Sequence, residues 1–176
     1  MLATGCGYRA VYAQPDRAQL SVQLGQIFIP EPAAAQSVAS GARSELAASG
    51  LLASGSAGTR LVIDVLRVDE LSRGIGAIGR LVPGSDPDRP RYFATGPTAA
   101  GMSIAVTVRG RVFPANAQEP TLDTGDLRRA VQLTGDADPR ADGAAYDQAL
   151  RAAAERAGKA AARSAMGLPE PADETP

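Results

Sequence analysis

Regular alternation of apolar and polar positions begins at Leu20. Leu20, Val22 and Leu24 alternate with Ser21, Gln23 and Gly25, the period of a half-buried strand, and Ile27-Phe28-Ile29 extends it to Pro30. Residues 7–19 before it read as an irregular extended arm. Glu31-Pro32 then opens a helix, since Pro is tolerated in a first turn. Ala35, Val38, Ala39, Ala42 and Leu46 share one face of that helix, and Gly50 stops it. A second strand, rich in β-branched residues, is predicted from about Arg60 to Val68. The third is the clearest: Met102, Ile104, Val106, Val108 and Val112 face one way, while Ser103, Thr107, Arg109 and Arg111 face the other. Such alternation predicts one buried and one wet face, as in an antiparallel sheet covered on one side. A weaker strand follows from about Leu122 to Leu133.

After a break at Asp136–Pro139, residues 140–166 form the longest predicted helix. Its narrow apolar face holds Tyr146, Ala149, Leu150, Ala153, Ala157 and Ala161, and Glu155 and Lys159 support it at i, i+4. Gly167 followed by Pro169 ends it. The order β-α-β-β-β-α predicts an α+β sandwich: one mostly antiparallel four-stranded sheet with two helices on one face. The domain organisation expected is a terminal arm (1–19), one α+β domain (20–167) and a disordered acidic tail (168–176). Within the domain, 70–99 is a long connection, expected to be mobile or functional because unstructured loops of that length are uncommon.

Composition narrows the chemistry. Ala supplies 35 residues, as many as Leu, Ile, Val and Phe together, so the core must be thin. No run approaches the roughly 18 apolar residues of a membrane-spanning helix. Eighteen basic against nineteen acidic residues argue against a general nucleic-acid binder. The chain has no His and therefore no Ser-His-Asp or Cys-His relay. It has no Trp and one Cys, which excludes an internal disulfide and a multi-cysteine metal cluster. No enzyme activity, metal or cofactor is expected.

Two motif matches fail on their surroundings. Gly74-Ile75-Gly76-Ala77-Ile78-Gly79 has dinucleotide-motif spacing, but Pro83 would break the helix whose N-terminus must hold the pyrophosphate. Asp136, Asp138 and Asp142 suggest a calcium loop, but Arg140 and Ala141 stand where an oxygen ligand and Gly are required. Arg109 and Arg111 on the third strand, with Arg128 and Arg129 on the fourth, are candidate phosphate contacts if those strands are neighbours, because guanidinium binds phosphate through paired hydrogen bonds. A solvated face balanced by Asp123, Asp126 and Glu119 is the other reading. Arg73, Arg80, Arg89 and Arg91 in the long connection carry the same two readings.

The single cysteine lies in Leu2-Ala3-Thr4-Gly5-Cys6-Gly7, which resembles a bacterial lipobox. At such sites the Cys becomes the first mature residue and carries lipid. Five residues precede Cys6, fewer than a signal's apolar run of roughly 7–15. A start assigned too late, a trimmed chain and an accidental match are the alternatives.

Gly5-Cys6-Gly7-Tyr8-Arg9-Ala10-Val11-Tyr12 is similar to the GCG-aromatic opening of the LPS-assembly outer-membrane lipoprotein family, LptE. The helix ending Arg43-Ser44-Glu45-Leu46-Ala47-Ala48-Ser49-Gly50-Leu51, the three-strand run with a long excursion, and a terminal helix opened by Ala145-Tyr146-Asp147-Gln148-Ala149 follow that family's order. The resemblance implies a non-enzymatic lipoprotein, anchored through Cys6 on the periplasmic face of the outer membrane. It would plug and support an LptD-type β-barrel and bind lipopolysaccharide. The competing expectation is another periplasm-facing lipoprotein, an activator of a cell-wall synthase or an accessory of a transport complex.

Overall fold

The computed structural model describes residues 19–55, 58–73, 79–82, 91–94, 101–134 and 139–169. The elements are β1 (Leu20–Ile27), α1 (Pro32–Ala48), β2 (Thr59–Arg73), β3 (Gly79–Val82), β4 (Arg91–Ala94), β5 (Gly101–Phe113), β6 (Leu122–Thr134) and α2 (Pro139–Ala165). Four strands form one sheet in the order β1-β2-β5-β6. β1 runs parallel to β2 because α1 carries the chain back across the sheet, whereas β2, β5 and β6 are antiparallel neighbours. The α+β order read from the sequence is the order observed.

Both helices cover one face of the sheet. Leu20, Val22, Leu61, Ile63, Val65, Ile104, Val106, Val108 and Val112 present the apolar half of each strand to them. α1 contributes the five positions expected from its periodicity, each at most 2% exposed. Pro32 stands at its start, and Gly50, at φ +68°, follows its end. α2 departs from its narrow predicted stripe: Ala154, Gly158, Ala160 and Ala162 are buried as well. It packs against α1 and against β5 and β6 at once, so small residues are needed on two sides. Where the helices touch, glycine sets the approach. A Cβ added to Gly158 would lie 2.0 Å from the Val38 carbonyl oxygen, and one added to Gly41 would lie 2.2 Å from that of Glu155.

Three local expectations change. β2 and β5 stay paired out to Arg73 and Gly101, and the chain between them contains the antiparallel hairpin β3–β4, so the 70–99 connection carries secondary structure. Pro139 opens α2 instead of belonging to the break before it. The helix-free face is not uniformly wet, since Ser103, Ala105 and Thr107 of the inner strand β5 are 6%, 0% and 3% exposed. The segments 1–18, with Cys6, and 170–176, with most of the expected tail, lie outside the described residues, as do Gly74–Ile78 of the dinucleotide-like run and Asp136 and Asp138 of the calcium-like one.

Candidate functional site

The charged residues collect on the helix-free face, placed there by strand periodicity. β5 offers Arg109 and Arg111, β2 offers Asp64, Arg67 and Asp69, and β6 offers Asp123 and Arg128. Arg129 does not join them. It pairs with Val106, whose side chain lies under the helices, because consecutive strand residues point to opposite faces. Its Nη1 donates to the Arg128 carbonyl (2.6 Å). Three of the four arginines singled out from the sequence therefore share a surface.

Each of those three is held by a carboxylate. Arg109 Nε donates to Asp123 Oδ1 (2.9 Å) and Nη2 to Asp123 Oδ2 (2.7 Å), a two-pronged ion pair. The Asp123 carboxylate also accepts the Gly125 N–H (2.9 Å). The Arg109 hydrogen bond, then that of Gly125, pulls the Asp123 pKa down to about 2, and the same pair raises that of Arg109. The geometry depends on a bulge: the β5–β6 register shifts between Arg109 and Arg111, where Gly125 adopts φ +68° and Thr124 Oγ1 accepts the Gly110 N–H. Glycine occupies that left-handed conformation without Cβ strain.

Arg111 is tied deeper. Its Nη2 donates to Asp64 Oδ2 (2.5 Å), and Asp64 is only 5% exposed. The other Asp64 oxygen accepts the Gln26 N–H (2.8 Å), where β1 shifts register against β2 between Leu24 and Ile27. The carboxylate lies over Gly25: a Cβ there would sit 2.2 Å from Oδ1. Asp64 thus joins three strands, and a buried charge with two such partners is satisfied. Phe113 lies beside this group, its ring centroid 5.5 Å from Arg60 Cζ and 5.9 Å from Arg111 Cζ. Arg128 and Arg67 share Asp69 through longer contacts, 3.4 and 3.3 Å, at the surface.

Sequence reasoning named Asp123 as a balancing charge and missed Asp64. Its signal was present, a single acid inside the apolar run Leu61-Val62-Ile63-Asp64-Val65-Leu66. A second polar contact lies on the helix side, where Tyr146 Oη donates to Glu70 Oε1 (2.7 Å). That hydrogen bond, with burial, pushes the phenol up to about 12. Among the described residues no group of three or more metal-ligating side chains is present.

No protein-family model matches the chain, and no curated protein matches it. Solved structures do. A minor lipoprotein from Acinetobacter baumannii aligns over 85% of this chain and 92% of its own, with 14% identity and a TM-score of 0.50. A candidate lipoprotein from Caulobacter crescentus CB15 aligns over 84% of both chains (16% identity, TM-score 0.48). A Xanthomonas campestris protein of family DUF330 covers 85% of this chain and 87% of its own (15%, 0.42). At these identities the Acinetobacter match establishes likeness of fold.

Proposed function

We propose that the protein is a non-enzymatic lipoprotein of the outer membrane, anchored through Cys6 on the periplasmic face, and an accessory subunit of an envelope transport complex. The observation that carries this reading is the pairing of a lipobox-like Cys6 with a fold shared by a solved lipoprotein. Anchoring by lipid is physically sufficient, because each buried methylene contributes about 0.8 kcal/mol and more than one chain gives stable attachment. The paired charges of the helix-free face support a role in binding protein over a role in chemistry.

Two versions of the accessory role differ in what the chain touches. In lipopolysaccharide export, which the resemblance of residues 5–12 supports, it plugs an LptD-type barrel and meets lipopolysaccharide. In the other version it contacts only the proteins of its complex, and the ion pairing of Arg109, Arg111 and Arg128 favours this one, since each guanidinium already has a carboxylate partner. Full-length protein, extracted in mild detergent and captured by a tag, distinguishes them. A stoichiometric outer-membrane β-barrel identifies the export complex, and the components of another transporter identify the second version. Capture of neither refutes the accessory role. Direct lipopolysaccharide binding is tested with Arg109→Gln, which spares the buried pair. Arg111→Glu would put a second carboxylate against Asp64 and disturb the fold.

A further inference from the structure

The direction of each strand's main chain follows from a few hydrogen bonds. Leu20 N–H donates to the Leu51 carbonyl (2.8 Å) and the Leu20 carbonyl accepts the Ala53 N–H (3.0 Å), so Leu20 turns its main chain away from β2. The Val65 carbonyl accepts the Phe28 N–H (2.9 Å), so Leu61, Ile63 and Val65 turn toward β1, and Arg60, Val62 and Asp64 toward β5. Their partners Phe113, Arg111 and Arg109 then face β2, which leaves Val108, Gly110 and Val112 facing β6. Two bonds agree: the Val112 carbonyl accepts the Thr121 N–H (2.8 Å), and Gly110 N–H donates to Thr124 Oγ1 (2.9 Å). On β6, Leu127, Arg129, Val131 and Leu133 therefore bond inward, and Asp126, Arg128, Ala130 and Gln132 turn their N–H and C=O groups outward.

The sheet has two edges, and they differ. β1 is covered at its start, where Leu51 and Ala53 bond to Leu20; farther along, Arg43 Nη2 donates to the Val22 carbonyl (3.4 Å), as Arg129 does to that of Arg128 on β6. β6 is the other edge, and among the described residues no strand pairs with its outer side. The Arg128 carbonyl accepts the Arg129 guanidinium, and its second lone pair can still accept a strand N–H. Edges are commonly protected by bulges, such as that of β6 at Gly125, and by charged side chains, which repel when like faces like. Here the outward positions carry Asp126 and Arg128, opposite charges two residues apart.

We propose that β6 is a homodimer edge: two copies pair β6 antiparallel about a two-fold axis through Leu127, over residues 126–128, the stretch that the Gly125 bulge leaves regular in both copies. In that register Asp126 of each copy faces Arg128 of the other, both with outward main chains, so the pair exchanges ladder hydrogen bonds as well as opposite charge. Leu127 meets its own copy on the helix side. Moving the axis to residue 126 sets Asp126 against Asp126, moving it to 128 sets Arg128 against Arg128, and moving it to 129 sets Arg129 against Arg129. Opposite charges face each other only with the axis at 127 among these registers.

Sedimentation equilibrium of the full chain produced without lipid, under reducing conditions so that the free Cys6 thiol cannot cross-link, tests this. The wild type is expected to show a concentration-dependent dimer. Asp126→Arg should weaken it about tenfold, by turning the cross-strand attractions into repulsions. Asp126→Arg combined with Arg128→Asp should restore it. Because the exchange also alters contacts with Arg109 and Asp69, a second variant is needed. Arg128→Pro removes an outward N–H and no bond to β5, so it should give a folded monomer by circular dichroism. A wild type that stays monomeric, or dimers of undiminished affinity in Asp126→Arg or Arg128→Pro, would overturn the proposal.

Discussion

Gly158→Ala is the substitution in which local and tertiary effects oppose each other most sharply. Inside an exposed helix the change would stabilise by about 1 kcal/mol, since Gly is that much poorer a helix former than Ala. At Gly158 the new Cβ would lie 2.0 Å from the Val38 carbonyl oxygen, 2.8 Å from its carbonyl carbon and 3.0 Å from the Ala42 nitrogen. All three are backbone atoms, so no side chain can rotate away. Ordinary contact begins at 3.4 Å, and relief therefore requires the helices to separate by about 1.4 Å at this point. A gap of 0.5–1 Å already forfeits a quarter to a half of a dispersion contact, and the loss extends along the Ala and Val surfaces packed beside it. Overpacking at the upper end of its usual range, about 3 kcal/mol, less the propensity gain, leaves a net destabilisation of about 2 kcal/mol. For a chain of this size that is a fall of roughly 4–8 °C in Tm. Gly143→Ala on the same helix is the control: nothing lies within 4 Å of its added Cβ, and it should raise the Tm by roughly 2–4 °C. Thermal melting by circular dichroism reads both. A Gly158→Ala protein that melts at or above the wild-type temperature would refute the close packing of α1 on α2.

Two further outcomes concern the helix-free face. Asp64→Ala leaves Arg111 and the Gln26 N–H without their shared acceptor and should cost about 3 kcal/mol in urea denaturation, the lower end for breaking a buried pair because Arg111 is a third exposed; a loss below about 1 kcal/mol would deny the three-strand role. Asp123 has a folded pKa of about 2, below its unfolded value near 3.9, so its contribution is complete above pH 4 and disappears as the pH falls toward 2. Asp123→Asn should flatten the acid limb of the stability profile in that window, and superimposable wild-type and variant profiles would contradict the assignment.

The fold was legible where one period dominates. Met102 to Val112 read as a strand because apolar residues recur at every second position except Gly110, and the five expected positions of α1 are buried, although Ala34 and Gly41 extend its buried face toward α2. α2 read too narrowly: alanine gives little hydrophobic contrast, so a helix buried on two sides looks like one buried on a stripe. Nothing in the sequence distinguishes Gly41 and Gly158, each of which admits a neighbouring backbone, from a glycine that merely weakens a helix. At the candidate site, residue type was legible and partnership was not. Arg109 and Arg111 were identified from the strand pattern, but their pairing with Asp123 and Asp64 depends on strand order and on two bulges, which composition does not encode. Arg128 and Arg129 could have been separated at once, because adjacent strand residues point to opposite faces.

Attachment through Cys6 is the claim on which the proposed function rests, and it has a direct measurement. Cells expressing the full-length wild type and Cys6→Ser are fractionated, and the N-terminal peptide of each is read by mass spectrometry. The wild type should pellet with membranes and carry acyl mass on Cys6, while Cys6→Ser should move to the soluble fraction without it. An unmodified Cys6, or Cys6→Ser retained undiminished in the membrane pellet, would contradict anchoring through this residue.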